Sequence, residues 1–392
     1  MTAPSLPPLS LYIHIPWCVA KCPYCDFHSL PRRGALPEGV YVRAVLDDLD
    51  QSLGALRGRE IQTIFFGGGT PSLFSGAAVG DILSGVGRRA TLAPDCEITL
   101  EANPGTVDSS RFLAFREAGV TRLSLGVQSL HTPSLRRLGR IHDAREARDA
   151  MEAAAGAGFS SFNIDLMYGL PDQTPGQAAA DVRAALAVDP PHLSLYELTI
   201  EAHTAFARDP PALPSEDLRT AIEDAITQAA DAAGYERYEV SAYARPGYRC
   251  AHNLNYWQFG DYLGLGAGAH SKLTGGAAVA RITRIADPVR YMEGPDRIAS
   301  RRLLATQDVI FEFLLNALRL TEGFPRDLLR ARTGHDFGDL EPLWSRAIAR
   351  GLLAREDETM RATPLGRRFL DGLLAGVLAD LETAGAPTAV EQ

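Results

Sequence analysis

At 392 residues and 46% hydrophobic content, the chain is ample for two or three domains, and no internal repeat or low-complexity segment is found in it. A formal net charge of -9 argues against a protein whose main partner is nucleic acid, because phosphate binding needs clustered positive charge. Residues 1–10 are proline-rich, with neither a basic start nor an apolar stretch of signal length. The apolar segment 309–320 is broken by Glu312, so the expectation is a cytoplasmic protein without an export signal or membrane span. Five cysteines, three of them tightly clustered, fit a reducing compartment in which thiols serve a metal and are not paired as disulfides.

From residue 9 a short apolar run, a glycine or proline turn and an alanine-rich helical stretch alternate six times. The pattern predicts strands at 9–15, 61–66, 97–101, 122–127, 163–168 and 192–198, with helices at 40–56, 77–89, 109–117, 144–155, 175–188 and 216–233. Six such units predict an α/β fold with a parallel sheet, either open and doubly wound or a partial (β/α) barrel. Loops at the carboxyl ends of parallel strands share one mouth, so the unusual residues following these strands are expected to converge there. Residues 236–304 turn aromatic and glycine-rich and are expected to connect the 1–235 core to a last domain at 305–385. There, short helices and a polar hairpin-like segment resemble a winged helix.

The first strand runs into Cys18, Cys22 and Cys25, a C-x3-C-x2-C loop short enough to wrap one inorganic cube. Three thiolates would hold three irons of a 4Fe-4S cluster and leave the fourth open for chemistry. A structural zinc site completed by His28 or Asp26 is the competing reading. The second strand ends in Gly67-Gly68-Gly69-Thr70-Pro71, which lets a polar ligand approach the backbone or simply makes a tight turn. It is neither a P-loop nor a dinucleotide fingerprint. Cys96 and Cys250 stand alone without ligand spacing and read as small buried residues.

Together the cysteine loop and the glycine triplet resemble the radical S-adenosylmethionine (SAM) superfamily. That resemblance implies a partial (β/α)6 barrel in which the open iron chelates SAM and one-electron reduction releases a 5'-deoxyadenosyl radical. Leu11-Tyr12-Ile13-His14-Ile15-Pro16, Gly126-Val127-Gln128-Ser129 and Asn163-Ile164-Asp165-Leu166-Met167-Tyr168-Gly169-Leu170-Pro171 are similar to the oxygen-independent coproporphyrinogen III dehydrogenases over nearly the whole chain. Carried over, it places the cluster on Cys18, Cys22 and Cys25 and the radical-forming SAM near Tyr12, Gly68 and Glu101. A second SAM site would map to Tyr24, Gly69, Thr70, Gln128, Arg140 and Asp165, and His14 would face the cluster.

Two departures matter. The dehydrogenases continue to a fourth cysteine two residues after the third, where this chain has Asp26 and then Phe27, and their longer amino-terminal extension is missing. Both resemble the haem chaperone branch of that family, the HemW proteins. His252-Asn253-x-x-Tyr256-Trp257 is likewise similar to that branch's HNxxYW motif, which implies haem contact by His252, Tyr256 and Trp257, with His270 a weaker alternative ligand. A packed core segment is the competing reading of those residues, and a satisfied core histidine that of His14. The resemblance implies a 4Fe-4S cluster, SAM and haem as cargo. Haem-accepting proteins such as respiratory haemoproteins would be the partners, with membrane contact only through an acceptor and the chain a monomer or dimer. The dehydrogenase reaction itself, oxidative decarboxylation of two propionates, is the alternative function. A DNA-binding regulator is a third, opposed by the twelve arginines and no lysine against fourteen acidic residues from Arg301 onward.

Overall fold

The computed structural model describes residues 6–276 and 278–385, so residues 1–5, half of the stretch read as lacking an export signal, lie outside the described residues. All six expected strands form: β1 Leu9–Ile15, β2 Ile61–Gly68, β3 Leu92–Ala102, β4 Arg122–Gln128, β5 Ser161–Tyr168 and β6 His192–Glu197. They lie side by side in chain order, all parallel. The crossovers are α1 Glu38–Leu56, α2 Gly76–Gly87, α3 Ser109–Glu117, α4 Ala144–Gly156 and α5 Pro175–Leu186, and α6 Glu216–Ala232 follows β6. Local chemistry sets the starts of α4 and α5: Asp143 with Glu146, and Thr174 with Gln177, form capping boxes that satisfy orphan backbone N–H groups. β3 begins five residues earlier than expected. Pro94 marks an irregularity in its pairing with β2, where Ile61 faces Leu92 but Thr63 already faces Glu97.

The alternation along β1 builds the barrel. Leu9, Leu11, Ile13 and Ile15 are buried in the main apolar core shared with the helical layer. Ser10, Tyr12 and His14 point the other way, into the concave interior. The neighbouring strands add Thr63, Phe65, Thr99, Glu101, Arg122, Ser124, Asn163 and Asp165 to that interior, so one face is hydrocarbon and the other carries chemistry.

Residues 236–304, expected to connect two domains, instead extend both edges of this sheet. β7 Asp261–Leu265 runs parallel to β1, and β8 His270–Gly275, β9 Ala278–Arg284 and β10 Ile298–Leu303 continue it antiparallel. On the far edge Ala242–Ala244 and Glu236–Arg237 follow β6, giving one mixed sheet of twelve strands among the described residues. A short helix, α7 Ala251–Trp257, carries the HNxxYW segment.

The carboxyl-terminal part has its own apolar core around Phe313, Phe324, Trp344 and Met360. It is enclosed by α8 Thr306–Ala317, α9 Arg326–Thr333, α10 Glu341–Ala349, α11 Leu370–Gly385 and three short antiparallel strands, a winged-helix-like arrangement. Phe259 packs edge-on against Phe313 at 5.9 Å, and Arg319 bonds the buried Glu239 at 3.0 Å, so this part docks on the barrel side. No helix among the described residues is long and apolar enough to cross a membrane.

Candidate cofactor site

The cysteine loop leaves β1 at its carboxyl end and is pinned at its root. Trp17–Cys18 pairs with Leu30–Pro31, Leu30 N–H donates to Pro16 O at 2.8 Å, and Arg32 N–H donates to Cys18 O at 2.8 Å. Cys18 is buried, while Cys22 and Cys25 are half-buried, and all three are free thiols. Burial pushes the Cys18 and Cys25 thiols up, so without a cation beside them they stay protonated. A soft, thiol-only donor set in a pinned loop fits iron, whose charge would hold the thiolates. Among the described residues no three His, Cys, Asp or Glu side chains converge on a single ion. Thiols that each take a separate iron of a cluster need not do so. The zinc alternative loses its fourth ligand: His28 Nε2–H donates to Ala286 O at 2.7 Å, and Asp26 is exposed.

Tyr12 donates its hydroxyl to His14 Nδ1 at 3.1 Å, and His14 Nε2–H donates to His28 O at 2.8 Å. Burial pulls the His14 imidazole down to about 4, so it is neutral and fully used, as a satisfied core histidine is. The glycine triplet is equally committed. A Cβ on Gly68 would lie 2.6 Å from the His14 ring, and one on Gly69 would lie 2.6 Å from Trp17 O. Protein fills the space the missing side chains leave, so the triplet seats the end of β2 against the cysteine loop. What Gly68 offers the interior is backbone: at φ +115° its N–H donates to Glu101 Oε2 at 3.3 Å. Burial, then the Asp165 charge, pushes the Glu101 carboxyl up to about 8. A carboxylate so poorly compensated fits a positively charged ligand group, such as the ammonium of an amino acid moiety.

Arg140 ties the second group of residues together. One terminal nitrogen approaches Cys22 Sγ at 3.7 Å and Tyr24 Oη at 3.5 Å, and the other donates to Gly126 O at 2.7 Å and to Asn103 Oδ1. Asn103 in turn donates to Thr70 Oγ1 at 3.0 Å. Thus Tyr24, Thr70 and Arg140 form one network with the loop, and Asn103, the residue that follows β3, is its hinge. Gln128, at φ +69°, ends β4 beside Gly126, where a Cβ would meet the Gln128 amide at 3.1 Å. Asp165 accepts from Ser124 at 3.0 Å and from Asn163 at 2.7 Å. Burial pushes its carboxyl up.

The HNxxYW segment lies elsewhere. It sits at the amino ends of the strands, where His252 Nδ1–H donates to Thr63 Oγ1 at 2.7 Å. Thr63 pairs with Ser10, five residues before Ile15, which puts this floor roughly 17 Å from the cysteine end at ~3.3 Å per strand residue. The Tyr256 hydroxyl donates to His252 Nε2 at 2.9 Å, and Phe65 stacks on the ring at 4.9 Å. His252 is 1% exposed and pulled down to about 3 by burial, and neither of its nitrogens is free for a metal. The packed-core reading describes it. Trp257 differs: it is half-buried, its Nε1–H has no hydrogen-bond partner among the described residues, and the Arg319 guanidinium lies 4.3 Å from its ring centre. His270 is exposed at the start of β8. Cys250 is buried and donates to Glu97 at 3.6 Å, while Cys96 is only half-buried.

Comparison with known proteins places this geometry. The Radical SAM superfamily model matches residues 12–184, and the HemN C-terminal domain model matches residues 304–369. The chain is 50% identical over 376 residues to "Heme chaperone HemW" of Escherichia coli K12, covering 96% of this chain and 99% of that one. It is 43% identical to the protein of that name from Haemophilus influenzae, covering 95% and 98%. Among solved structures, coproporphyrinogen III oxidase (HemN) from Escherichia coli, described as a radical SAM enzyme, superposes with a TM-score of 0.80 at 22% identity. That match covers 97% of this chain and 91% of the other, and it shows the fold. With half its residues shared end to end, the chain belongs to the HemW family of radical SAM proteins.

Proposed function

We propose that this protein is a haem chaperone: it carries a 4Fe-4S cluster, binds SAM beside it, and hands haem to acceptor haemoproteins such as respiratory ones. The observation that carries the reading is the pinned three-thiol loop with its root pressed against Gly69, in a chain 50% identical to a protein named as a haem chaperone. In this reading Cys18, Cys22 and Cys25 each hold one iron. Tyr12, Gly68 and Glu101 face the SAM that joins the open iron. Tyr24, Gly69, Thr70, Gln128, Arg140 and Asp165 line the second site implied by the resemblance, Gly69 through backbone alone. The cluster, when bound, supplies one electron to SAM.

The chain's own residues prepare that site. Neutral His14 orients the Tyr12 hydroxyl, Glu101 provides the negative charge once its carboxyl ionises, and Arg140 sets a guanidinium 3.7 Å from Cys22 Sγ. For haem, Tyr256 and Trp257 are the half-buried aromatic members of the HNxxYW segment, and His252 is the anchor that holds Tyr256. The carboxyl-terminal module, slightly negative and docked on the barrel, suits a cover or partner-docking surface better than a DNA reader. The protein works in the cytoplasm and meets a membrane only through an acceptor.

An anaerobic haem titration of the cluster-reconstituted protein, followed by its Soret band, tests the reading. Saturable one-to-one binding supports it. Absence of binding together with anaerobic conversion of coproporphyrinogen III to protoporphyrinogen IX would establish the dehydrogenase instead.

A further inference from the structure

Arg122 opens β4 and is 3% exposed. It points into the barrel, because Ser124, two residues on, reaches Asp165 there, and because its pairing partner Thr99 precedes Glu101 by two on β3. Buried guanidinium groups are ordinarily paired. The charges of Glu97 and Asp165 lie near enough to favour this one, yet among the described residues none accepts a hydrogen bond from it, and both its Nε and the Thr99 hydroxyl beside it are buried without a hydrogen-bond partner.

The neighbours that would normally pair with it are already satisfied by other donors. Glu97 accepts from the N–H groups of Ala251 and His252 at 3.3 and 3.1 Å and from Cys250 Sγ. Asp165 accepts from Ser124 and Asn163, and Glu101 from Gly68. His192 is held between Asn163 and Tyr238. The interior therefore contains a guanidinium and a hydroxyl with open hydrogen-bonding capacity, in register on adjacent strands, above the helix that carries His252 and Tyr256. That is a receptor for a carboxylate.

We propose that Arg122, with Thr99, receives a propionate of the tetrapyrrole cargo, so that one acidic arm reaches into the barrel while the macrocycle stays nearer its opening. The inference rests on the haem chaperone reading and adds to it the group that recognises the acid. A water bridging Arg122 to Glu97 or Asp165 is the competing explanation, and it predicts no role in binding.

The test compares iron protoporphyrin IX with its dimethyl ester, which keeps the macrocycle and iron but lacks the acid. Both are titrated against the reconstituted full-length protein and its Arg122→Gln, Arg122→Lys and Thr99→Val variants. The parent is expected to bind the diacid about tenfold or more tighter than the ester, the size of one charge-assisted contact. Arg122→Gln should abolish that preference without changing ester affinity, and Arg122→Lys should keep part of it. Thr99→Val should weaken diacid binding alone. Equal affinity of the parent for both tetrapyrroles would overturn the proposal without any variant, as would an Arg122→Gln protein that retains the preference. In either case saturable haem binding keeps the chaperone reading standing. If neither tetrapyrrole binds the parent, the chaperone reading falls and this inference with it.

Discussion

Gly69 has no room for a side chain, because a Cβ there would sit 2.6 Å from the carbonyl oxygen of Trp17, the residue before the first cysteine. The same junction is tied by Gly69 N–H to Ile15 O and Thr70 N–H to Trp17 O, both at 2.8 Å. The end of β2 and the root of the cysteine loop are thus one packed unit, and Cys18 cannot move without the glycine strip. Gly69→Ala should push the loop root away, destabilising the cluster-free protein by about 1–3 kcal/mol and lowering the iron retained after reconstitution. Urea unfolding and iron analysis read the two effects, and wild-type values for both would refute this account of the junction.

Cys22→Ser should abolish the brown absorbance that iron-sulfur clusters give at about 400 nm, because each thiolate is assigned its own iron. Glu101→Gln should spare the absorbance and weaken SAM binding about tenfold, since the charge facing the ligand's cation is lost while the fold is kept. An absorbance unchanged by Cys22→Ser would end the cluster assignment.

Glu101 also sets a pH dependence whose sign follows from burial. Its folded-state carboxyl titrates at about 8, above the unfolded value near 4.5, so the folded protein holds the extra proton between those pH values. The SAM-free protein should therefore lose stability from this group as pH rises from about 5 to above 8. Glu101→Gln should flatten that part of the profile. SAM affinity should run the other way, rising over the same range as the carboxylate ionises. Thermal melts and calorimetric titrations at several pH values check both; a Glu101→Gln profile parallel to the parent's would refute the assignment.

His252 predicts a stability effect rather than a ligand effect. Removing a fully buried ring that bonds Thr63 and Tyr256 should cost about 2–4 kcal/mol. The position of the Soret band in the haem complex should stay where it is, because neither imidazole nitrogen is free. Trp257→Ala should instead weaken haem binding at little cost in stability. A Soret shift in a folded His252→Ala protein would show that the histidine leaves Tyr256 to take the iron.

Arg319→Ala should loosen the carboxyl-terminal module. Its guanidinium is the partner of Glu239, which is 2% exposed, and also covers Trp257. A buried carboxylate that keeps its Ser241 hydrogen bonds but loses its counter-charge is costly, and with Arg319 partly solvated the loss should be about 1–3 kcal/mol. Limited proteolysis should then cut near residues 305–320 sooner than in the parent, with cluster content unchanged. Equal cleavage rates would mean the module is held by its apolar contacts alone.

The amino-acid sequence by itself determined the six-fold β/α alternation, the element boundaries to within a few residues, and the cysteine loop after the first strand. Those are local matters: hydrophobic period, capping residues and ligand spacing act over a few residues. Tertiary structure alone decided three things. It built residues 236–304 into both edges of the sheet, because strand partners far apart in the chain leave no local signature in either segment. It put the HNxxYW segment at the floor of the barrel and the cysteines at the mouth, a choice set by where α7 can bury His252 and Asn255 with hydrogen bonds to Thr63 and Ser10. It also turned the glycine triplet from an open cradle into a close-packed joint and left Arg122 without a hydrogen-bond acceptor among the described residues. Whether a missing side chain makes room for a ligand, or a buried charge waits for one, depends on the atoms brought opposite it by folding, which no stretch of sequence around either residue contains.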